Sequence, residues 1–481
     1  METRGKLENN SRGRLAFKAG IWYVISNIMV KAITVITTPI FTRLMSTEEY
    51  GTVQTFISWY SLLLPILSLN LTYSIGRAKL DFPNKLDEYI GSMQTLSAVF
   101  SIVLSAIAII FIKPVSSLFE ITPLQTGLLL AYIFFQIAIL LNQNGYRYTY
   151  KYRQNIAIAW YTTLFTTILS LVLILTVGGD RADLRIIGIT VPTVLLSLYF
   201  WGKSVKDKSL NFNVEYWKYA LTISLPLVLH TISLNVLGQS DRIFITKIWG
   251  KTDTAYYSLA YTYGVLLHVF TNAISESWLP WFHDTYFEQK FDEIRKNVKP
   301  LILFGCYIGL ASIAFAPEAI MILGGKTYSS SISCVPPIVL GIVCQYIYTH
   351  YVNIELHLKK TIYVSVGTIV AALFNIITNA IFIPIYGFAA AAYTTLASYF
   401  LLMVIHLVIT KKVLHVKLYN DLFMFGAMFI TGGITALLMF SYQHRWLRYG
   451  LIAIGFISFV YYFRDYAKNW IRNRKKKTQG K

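Results

Sequence analysis

The sequence predicts an all-α, polytopic membrane protein of about 14 transmembrane helices, arranged as two six-helix bundles followed by two C-terminal helices. Three observations support this fold class. Hydrophobic residues make up 55 % of the chain and charged residues only 14 %, whereas soluble domains carry roughly 25 % charged residues. Long apolar runs follow one another, with short polar loops between them. A short motif also recurs in the two halves of the chain, at residues 42–51 and 246–255.

A transmembrane helix needs about 20 mostly apolar residues, and this requirement identifies fourteen segments. They are residues 17–41, 50–73, 89–112, 124–144, 157–177, 184–201, 217–237, 255–274, 298–317, 332–352, 361–383, 388–410, 420–439 and 449–463. The loops between these segments are too short to hold an extramembrane domain. The three cysteines, Cys306, Cys334 and Cys344, lie in or beside apolar runs without metal-ligand spacing, so we expect them to be packing residues.

Lysine and arginine are distributed unequally between alternate loops. With the N-terminus placed in the cytosol, 32 of the 43 basic residues fall in cytosolic segments and 10 in outer loops. This bias follows the positive-inside rule and predicts that both termini are cytosolic. The net charge of +20 is therefore interpreted as membrane topology, with no nucleic-acid partner. Residues 464–481 carry eight positive charges, which predicts that this tail lies on the anionic cytosolic leaflet as a topology anchor.

Two related segments divide the chain into halves. Thr42–Gly51 reads TRLMSTEEYG and Thr246–Ala255 reads TKIWGKTDTA, and a tyrosine-rich helix start follows in each half. Their offset of 204 residues predicts two parallel halves, and a transporter's binding site commonly lies between such halves. The predicted organisation is a cytosolic N-terminal tail at 1–16, six-helix bundles at 17–205 and 206–412, two additional helices at 413–463 and a basic cytosolic tail at 464–481.

Lys31 is the clearest ionisable residue at membrane depth. It lies in the interior of the first span, four residues after Asn27, so the two side chains share one face of the helix. An ionisable side chain at that depth costs at least about 2.5 kcal/mol, so we expect Lys31 to face a cavity or to bind an anion. A lysine close to a helix end could instead snorkel to the interface, but Lys31 is far from both ends of its span.

Further polar side chains come mainly from spans 2, 4, 7 and 8. Together with Asn27 and Lys31, the candidates for a substrate-binding cavity are Asn70, Arg77, Arg147, Asn235, Arg242, His268 and Asn272. Lysine and arginine bind phosphate oxygens through charge-assisted hydrogen bonds, whereas neutral amide side chains suit sugars. The pattern therefore predicts a cationic, polar interior that fits an anionic ligand such as a pyrophosphate.

Several of these residues have a second interpretation. Arg77 is equally expected as a positive-inside anchor at the end of its span. Asp241 and Arg242 are equally expected to cap the outer end of span 7. A membrane histidine such as His268 is more often a packed residue than a proton carrier. Asp241 and Glu276 are the candidates for coupling to an H⁺ or Na⁺ gradient. Spans 10 and 11 add Gln345, His350, Asn375 and Asn379, with Glu355 just after span 10.

The sequence lacks the motifs of an energy-converting or catalytic site. It contains no phosphate-binding glycine loop followed by Lys-Ser/Thr and no His/Glu metal motif. We therefore expect no catalytic residues, no metal and no cofactor. A membrane glycosyltransferase or polymerase would need catalytic acids at an interface, and only Asp241 and Glu276 are available, neither with an identifiable partner.

The segment Gly20–Trp59 resembles the opening of Wzx-type polysaccharide flippases, and it reads GIWYVISNIMVKAITVITTPIFTRLMSTEEYGTVQTFISW. Four further features of the sequence resemble the same family. They are Pro226, SDRIFITKIWG at Ser240–Gly250, YYSLAY at Tyr256–Tyr261 and Trp278-Leu279-Pro280. These segments fall at the expected spacing, and the resemblance covers essentially the whole chain. The family belongs to the multidrug/oligosaccharidyl-lipid/polysaccharide (MOP) exporter superfamily, which includes the lipid II flippase and the MATE multidrug exporters.

This resemblance implies a MATE-like fold with a V-shaped central cavity and alternating access driven by an ion gradient or the membrane potential. It also implies that Lys31 and Arg77 are counterparts of cavity cations on the first and second helices of the lipid II flippase. His268 stands roughly where a third cation is expected, so the third anchor departs from the family pattern.

The implied function is translocation of an undecaprenyl-pyrophosphate-linked oligosaccharide repeat unit across the bacterial cytoplasmic membrane, for capsule, O-antigen or exopolysaccharide. The expected partners are this lipid-linked glycan, membrane lipids, and the polysaccharide polymerase and glycosyltransferases of the pathway. The alternative is a multidrug or small-solute cation antiporter of the same superfamily. That alternative calls for an acidic cation pocket, and carboxylates at mid-membrane depth are scarce in this sequence.

Overall fold

The structure is a computed structural model that describes the backbone of residues 2–479 and the side chains of residues 20–464 except 21 and 24. These residues form helices and no strand, which confirms the all-α fold class. The α-helices are α1 (Glu2–Leu44), α2 (Thr47–Leu67), α3 (Ile75–Asp81), α4 (Leu86–Ile110), α5 (Ile112–Phe119), α6 (Pro123–Tyr148), α7 (Tyr152–Thr176), α8 (Arg181–Lys206), α9 (Val214–Trp249), α10 (Lys251–Phe287), α11 (Phe291–Ala314), α12 (Ala316–Gly324), α13 (Val335–His357), α14 (Thr361–Tyr386), α15 (Ala389–Val408), α16 (Asp421–Ser441) and α17 (Arg445–Gln479). Two 3₁₀ segments, Leu71–Tyr73 and Lys326–Cys334, and one π-helical segment, Ile409–Val413, connect some of them.

The number of membrane spans is lower than the sequence predicted. Among the described residues, 12 helices are long and apolar enough to cross a membrane, or 13 if the bent pair Thr47–Leu67 and Leu71–Asp81 counts as one span. The difference from the predicted 14 is α10, which contains the predicted span 255–274 and is not among them. At 37 residues α10 is long enough to cross a membrane, so its polar side chains are the reason that it is not apolar enough to be counted.

The outer surface of the helices has the character of a lipid-facing surface. Large aliphatic and aromatic side chains are exposed along helices throughout the chain, among them Ile110, Leu198, Ile377, Ile430 and Ile457. In water such an extended apolar surface would drive association, whereas hydrocarbon chains solvate it at no cost. The chain is therefore a multi-pass membrane protein.

The helices pack as two groups joined along a few contacts. Helices α1, α2, α4, α6, α7 and α8 pack on one another, and so do α9, α10, α11, α13, α14 and α15. Helices α16 and α17 pack against α11. We call the two groups the first and the second bundle. They meet where α2 contacts α9 and α10, and where α1 contacts α10 and α12. The exact domain boundaries stay a prediction.

We call the end of the molecule where α1 is followed by α2 and α9 by α10 the predicted outer end, and the opposite end the predicted cytosolic end. The two bundles are tied together at both: at the predicted cytosolic end, Trp217 and Tyr219 of α9 donate to the Ser92 carbonyl and the Asp81 carboxylate at 3.0 and 2.6 Å. The ties at the predicted outer end, named here the outer contact, join Thr42, Gly51 and Thr55 of the first bundle to Leu323, Lys251 and Thr246 of the second. The Thr55 and Thr246 hydroxyls lie 2.8 Å apart, and the Thr42 hydroxyl donates to the Leu323 carbonyl at 2.6 Å.

Gly51 brings the two repeated segments into direct contact. A Cβ atom at Gly51 would lie 1.8 Å from the carbonyl oxygen of Lys251, so only glycine allows this approach. The Thr47 and Thr252 hydroxyls lie 3.5 Å apart beside it. The segments that are similar in sequence thus face each other across the interface between the bundles.

The second span is broken, which corrects the predicted continuous span 50–73. Helix α2 ends at Leu67, and Leu69 and Asn70 both have φ of 50°, in the left-handed region. The chain then continues through a 3₁₀ turn into α3, with a bend of 60° between the two parts. Asparagine tolerates this conformation better than most residues, and Pro65 lies just before the break.

Candidate functional site

Lys31 and the predicted residues of α10 lie on facing parts of the two bundles. The Lys31 side chain is exposed, and its charge acts on the ring of His268. The Asn272 amide nitrogen lies 3.2 Å from His268 Nε2. Asn27, one turn before Lys31, is exposed as well. The structure therefore brings one cation, one imidazole and two amides together where α1 and α10 meet.

Asn70 and Asn235 line a second polar site, a cavity of about 170 Å³ between α2, α6 and α9. The Asn70 amide donates to the Thr231 hydroxyl at 2.8 Å, and the Asn235 amide donates to the Ser61 carbonyl. Asn70 is available for this contact because the helix is broken there and the residue has the left-handed conformation. The break in the second span is thus what directs a polar side chain into the interface between the bundles.

Arg77 and Arg147 lie on other elements of the first bundle, towards the predicted cytosolic end. Arg77 on α3 forms an ion pair with Asp81 at 3.0 Å, yet its side chain is 65 % exposed and remains accessible to an anion. The Tyr219 hydroxyl of α9 donates to the same Asp81 carboxylate at 2.6 Å. Arg147, near the end of α6, is exposed, and its charge acts on Tyr23 of α1.

Asp241 is enclosed in the second bundle, away from Lys31. Its side chain is 0 % exposed, and helix α9 continues to Trp249, so Asp241 does not cap that helix. The Asn379 amide donates to one carboxylate oxygen at 2.7 Å, and the Thr395 hydroxyl donates to the other at 2.7 Å. The Tyr257 hydroxyl donates to the latter oxygen as well. Three donors aimed at one carboxylate stabilise its ionised form.

Arg242 is buried next to Asp241 but points towards the interface between the bundles. Its guanidinium donates to the Ser258 hydroxyl at 3.0 Å and to the Gln239 side-chain oxygen at 3.1 Å. It also lies 4.6 Å from the centre of the Tyr261 ring. The Ser58 hydroxyl of α2 donates to the same Gln239 oxygen at 3.2 Å. Arg242 is thus a structural centre near the outer contact, held through its Nε and Nη1 atoms.

Glu276, the other predicted coupling residue, has a different environment. It is exposed on α10, one turn after Asn272. The side chains of Asn272 and Glu276 therefore extend the polar face of α10 that begins at His268.

The partners of Asp241 are not predictable from the sequence. Asn375 and Asn379 stand out there only as a polar pair, Tyr257 only as part of the YYSLAY segment, and Thr395 not at all. In the structure, the Ser240 hydroxyl donates to Asn375 at 3.0 Å, and Asn375 contacts Asn379 and Thr395 in turn. The spacing of four residues between the two asparagines was the one available signal, because it places both amides on one helix face.

Two proteins are similar to this chain in sequence at low identity. It is 22 % identical over 287 residues to "Lsg locus putative protein 1" of Haemophilus influenzae, which covers 57 % of this chain and 67 % of that protein. It is 26 % identical over 125 residues to "Capsular polysaccharide biosynthesis protein CapF" of Staphylococcus aureus, which covers 25 % of this chain and only 32 % of that protein.

Solved structures share the fold. The lipid II flippase MurJ in an inward closed conformation superposes with a TM-score of 0.72 at 14 % identity, covering 93 % of this chain and all of that chain. An inward-facing multidrug resistance MATE family transporter of the MOP superfamily superposes with a TM-score of 0.57 at 13 % identity, covering 86 % of this chain and 96 % of that chain. A MOP superfamily transporter from Pyrococcus furiosus superposes with a TM-score of 0.57 at 14 % identity, covering 82 % of this chain and 93 % of that chain.

One protein family also matches the chain directly. The family described as "Polysaccharide biosynthesis protein" matches residues 16–286, which is more than half of the sequence. The match runs from the start of the first predicted span through α10, and so includes the Lys31 and His268 site as well as Asp241.

Proposed function

Because the chain belongs to the polysaccharide biosynthesis protein family, we propose that it is a flippase that moves an undecaprenyl-pyrophosphate-linked oligosaccharide repeat unit from the cytosolic to the outer leaflet. The pathway would supply capsule, O-antigen or exopolysaccharide. The observation that carries this proposal is Lys31, an accessible cation in a membrane-spanning helix, facing His268 and Asn272 of the other bundle.

The chemistry of this site fits a lipid-linked glycan. The pyrophosphate would bind Lys31, with Arg77 as a second cation nearer the predicted cytosolic end, because ammonium and guanidinium groups form charge-assisted hydrogen bonds to phosphate oxygens. The neutral side chains of Asn27 and Asn272 suit sugar hydroxyls. A lipid tail could stay in the bilayer at the junction of α1 and α10, where Lys31 itself is exposed.

The bundles are joined at the predicted outer end by Thr42, Gly51 and Thr55 and their partners. At the predicted cytosolic end they are joined by Trp217 and Tyr219 of α9. Loading from the cytosolic side would require the cytosolic contacts to open, and release would require the outer contact to open. This is alternating access between two arrangements of the same bundles.

Of the two acids that the sequence offers for coupling to an H⁺ or Na⁺ gradient, we propose that Asp241 is better placed than Glu276. Asp241 is buried and held by side chains from α10, α14 and α15, so a change in its ionic state would alter the packing of several helices. Glu276 is exposed, and a change in its charge would be screened by water.

The test is complementation of a strain that lacks the gene, with surface polysaccharide and membrane abundance measured together. Lys31→Ala should fold normally, because it removes a costly charge from the membrane, but it should fail to restore polysaccharide. Lys31→Arg should restore part of it. Lys113→Ala, at an exposed position on α5, is the matched control. Full complementation by Lys31→Ala at control abundance would exclude a phosphate-binding role for Lys31.

The second candidate is a cation antiporter of the same superfamily, which the buried carboxylate of Asp241 favours. The three donors on that carboxylate count against direct contact with an organic cation. Drug susceptibility of the deletion strain separates the two candidates, because an exporter would change it while surface polysaccharide stayed normal.

The remaining proposals concern location and partners. We propose the bacterial cytoplasmic membrane with both termini cytosolic, on the distribution of basic residues. The side chains of the basic tail at 465–481 lie outside the described residues. Glycosyltransferases and a polymerase are the proposed pathway partners, and the protein itself is proposed to catalyse no bond-breaking reaction.

A further inference from the structure

Glu355 and His406 form a buried pair of ionisable side chains outside the substrate path proposed above. Glu355 lies two residues before the end of α13 and His406 two residues before the end of α15. Their side chains are 0 % and 1 % exposed, and His406 Nδ1 lies 2.9 Å from Glu355 Oε1. Both helices belong to the candidate membrane spans. Two titratable groups thus share a hydrogen bond inside the membrane-spanning part of the second bundle.

Packing fixes the orientation of the His406 ring. The Tyr348 ring stacks on it, with 5.5 Å between the ring centres and 21° between the planes. On α14, a Cβ atom at Gly367 would lie 3.3 Å from His406 Cε1, so α14 also packs closely against the imidazole. The ring is therefore held with Nδ1 towards Glu355, and its position does not depend on solvent.

The unused carboxylate oxygen indicates that the pair holds a proton. Glu355 Oε2 is buried and has no hydrogen-bond partner among the described residues, and the same is true of the hydroxyl of Thr410, one turn after His406. A lone buried carboxylate is strongly unfavourable. One proton removes that cost, whether it sits on His406 opposite a carboxylate or on Glu355 opposite a neutral imidazole. Both forms are neutral overall, and loss of the proton leaves one uncompensated negative charge.

Asp241 is less suited to exchange a proton. All of its hydrogen bonds come from donors, namely Tyr257, Asn379 and Thr395. A proton on that carboxylate would remove the negative charge that strengthens these three hydrogen bonds, whereas one oxygen of Glu355 accepts no hydrogen bond from the described residues. The two buried acids of the second bundle therefore differ in chemistry, and proton exchange is favoured at Glu355.

The position of the pair suits exchange with the predicted cytosolic side. Both residues lie within one turn of their helix ends, and the π-helical segment Ile409–Val413 begins three residues after His406. Single π-helical turns occur frequently at functional sites. The other ionisable groups on the nearby turns of the surrounding elements are Tyr348, His350, Tyr351, His357, Lys359, Lys360, Tyr363, Lys411, Lys412 and Asp421. Lys411 and Asp421 neutralise each other at 2.7 Å, so they leave no net charge beside the pair.

We propose that Glu355 and His406 form a proton-binding site, which holds one proton while it is enclosed and exchanges that proton with water at the predicted cytosolic side when the ends of α13 and α15 separate. No other bond changes in this step. Proton binding does not depend on what the protein transports, whereas a role in driving transport rests on the function proposed above.

Infrared difference spectra between acidic and alkaline pH, recorded on the purified full-length protein in liposomes, test proton binding directly. The expected result is a set of bands from a buried carboxyl–imidazole site that is lost in both Glu355→Gln and His406→Gln, because the proton is shared. Glutamine keeps the size of glutamate and can still bond to His406. Glu293→Gln, at an exposed position on α11, is the matched control and should retain the bands.

Labelling with ¹³C-glutamate makes the test independent of whether a variant folds. The same bands should shift in the labelled wild-type protein, which separates Glu355 from Asp241. Bands that persist in either single variant, or that do not shift on labelling, would overturn the proposal. These measurements need no substrate, so they can succeed even if the Lys31 variants exclude a flippase.

Complementation at different external pH tests the role in driving transport. Wild-type polysaccharide production should vary with external pH, and Glu355→Gln should lose that dependence at equal membrane abundance. An unchanged pH dependence in Glu355→Gln would overturn the driving role and leave a site that only binds a proton.

Discussion

Gly51→Ala is expected to weaken the outer contact without changing any polar group. A Cβ atom at this position would lie 1.8 Å from the Lys251 carbonyl oxygen and 2.6 Å from its carbonyl carbon. Non-bonded heavy atoms settle at about 3.5 Å or more, and both partners here are backbone, so no side chain can rotate away. The starts of α2 and α10 must therefore move apart.

The size of the effect follows from the cost of overpacking, which is about 1–3 kcal/mol. If the whole cost falls on the closed arrangement, its population relative to the open one drops about 5- to 150-fold. Alanine also favours a helix over glycine by about 1 kcal/mol, so the comparison needs a control in which only that effect operates. Gly127→Ala on α6 provides it, since a Cβ there meets nothing within 4 Å.

Disulfide formation between Thr47→Cys and Thr252→Cys reports on the outer contact. The two threonine hydroxyls lie 3.5 Å apart, and the three native cysteines are buried and unbonded. Under mild oxidation, Gly51→Ala should reduce the yield of this cross-link in membranes, and Gly127→Ala should leave it unchanged. Equal yields in the two variants would refute the argument that the Gly51 approach holds the bundles together.

Three further predictions follow from the buried charges and the topology. Asp241→Leu leaves three buried donors unpaired and should destabilise the detergent-solubilised protein by at least about 2 kcal/mol, seen as a lower unfolding temperature; an unchanged temperature would contradict the role given to this carboxylate. Arg448→Ala removes the ion pair with Glu318 that ties α17 to α12, and increased protease access to the 443–445 turn should result, whereas unchanged access would show that the pair is dispensable. Reporter fusions at Lys326 and after the C-terminal tail should report opposite sides of the membrane, and the same side for both would disprove the predicted topology.

The sequence was sufficient for the fold class and for most of the spans, because membrane helices are long apolar runs and leave a clear signal. The predicted resemblance to a polysaccharide family is confirmed by the match to the polysaccharide biosynthesis protein family, and the predicted MATE-like fold by the fold that the chain shares with solved transporters. Helix α10 is the instructive exception. Its polar face, at His268, Asn272 and Glu276, is what makes it a candidate for the site and also what removes it from the apolar spans.

The break in the second span was not predictable from hydropathy. Leu69 is an apolar residue with φ of 50°, and no local pattern requires a leucine to adopt that conformation. The surrounding packing imposes it: Leu67, Leu71 and Ile75 are all buried on either side of the break. Asn70, selected from the sequence as a polar residue on a helix face, instead reaches Thr231 because the helix is interrupted there.

Partners that are distant in sequence were the other missing information. Asp241 was identified, but Asn379 and Thr395 follow more than 130 residues later. Glu355 was noted beside span 10, and His406 was not considered. Spacing reveals which residues share a face of one helix, but the pairing of helices decides which faces meet, and periodicity does not encode that pairing.

The outer contact is weak enough to be reversible by the forces available in a membrane. Five hydrogen bonds cross between the bundles there, from Thr42, Arg43, Thr47, Thr55 and Ser58. At a net value of about 0.5–1.5 kcal/mol each, they contribute about 2.5–7.5 kcal/mol. Moving one charge through a membrane potential supplies about 2.3 kcal/mol per 100 mV, so about one to three charges per cycle match the cost of opening. The contact is formed by neutral donors and backbone carbonyls together with a single arginine. An interface of buried ion pairs would cost more to separate, because breaking one exposes an uncompensated charge. The buried charges lie instead within the second bundle, at Asp241 and at the Glu355–His406 pair, where a change in ionic state acts on helix packing and not on the contact itself.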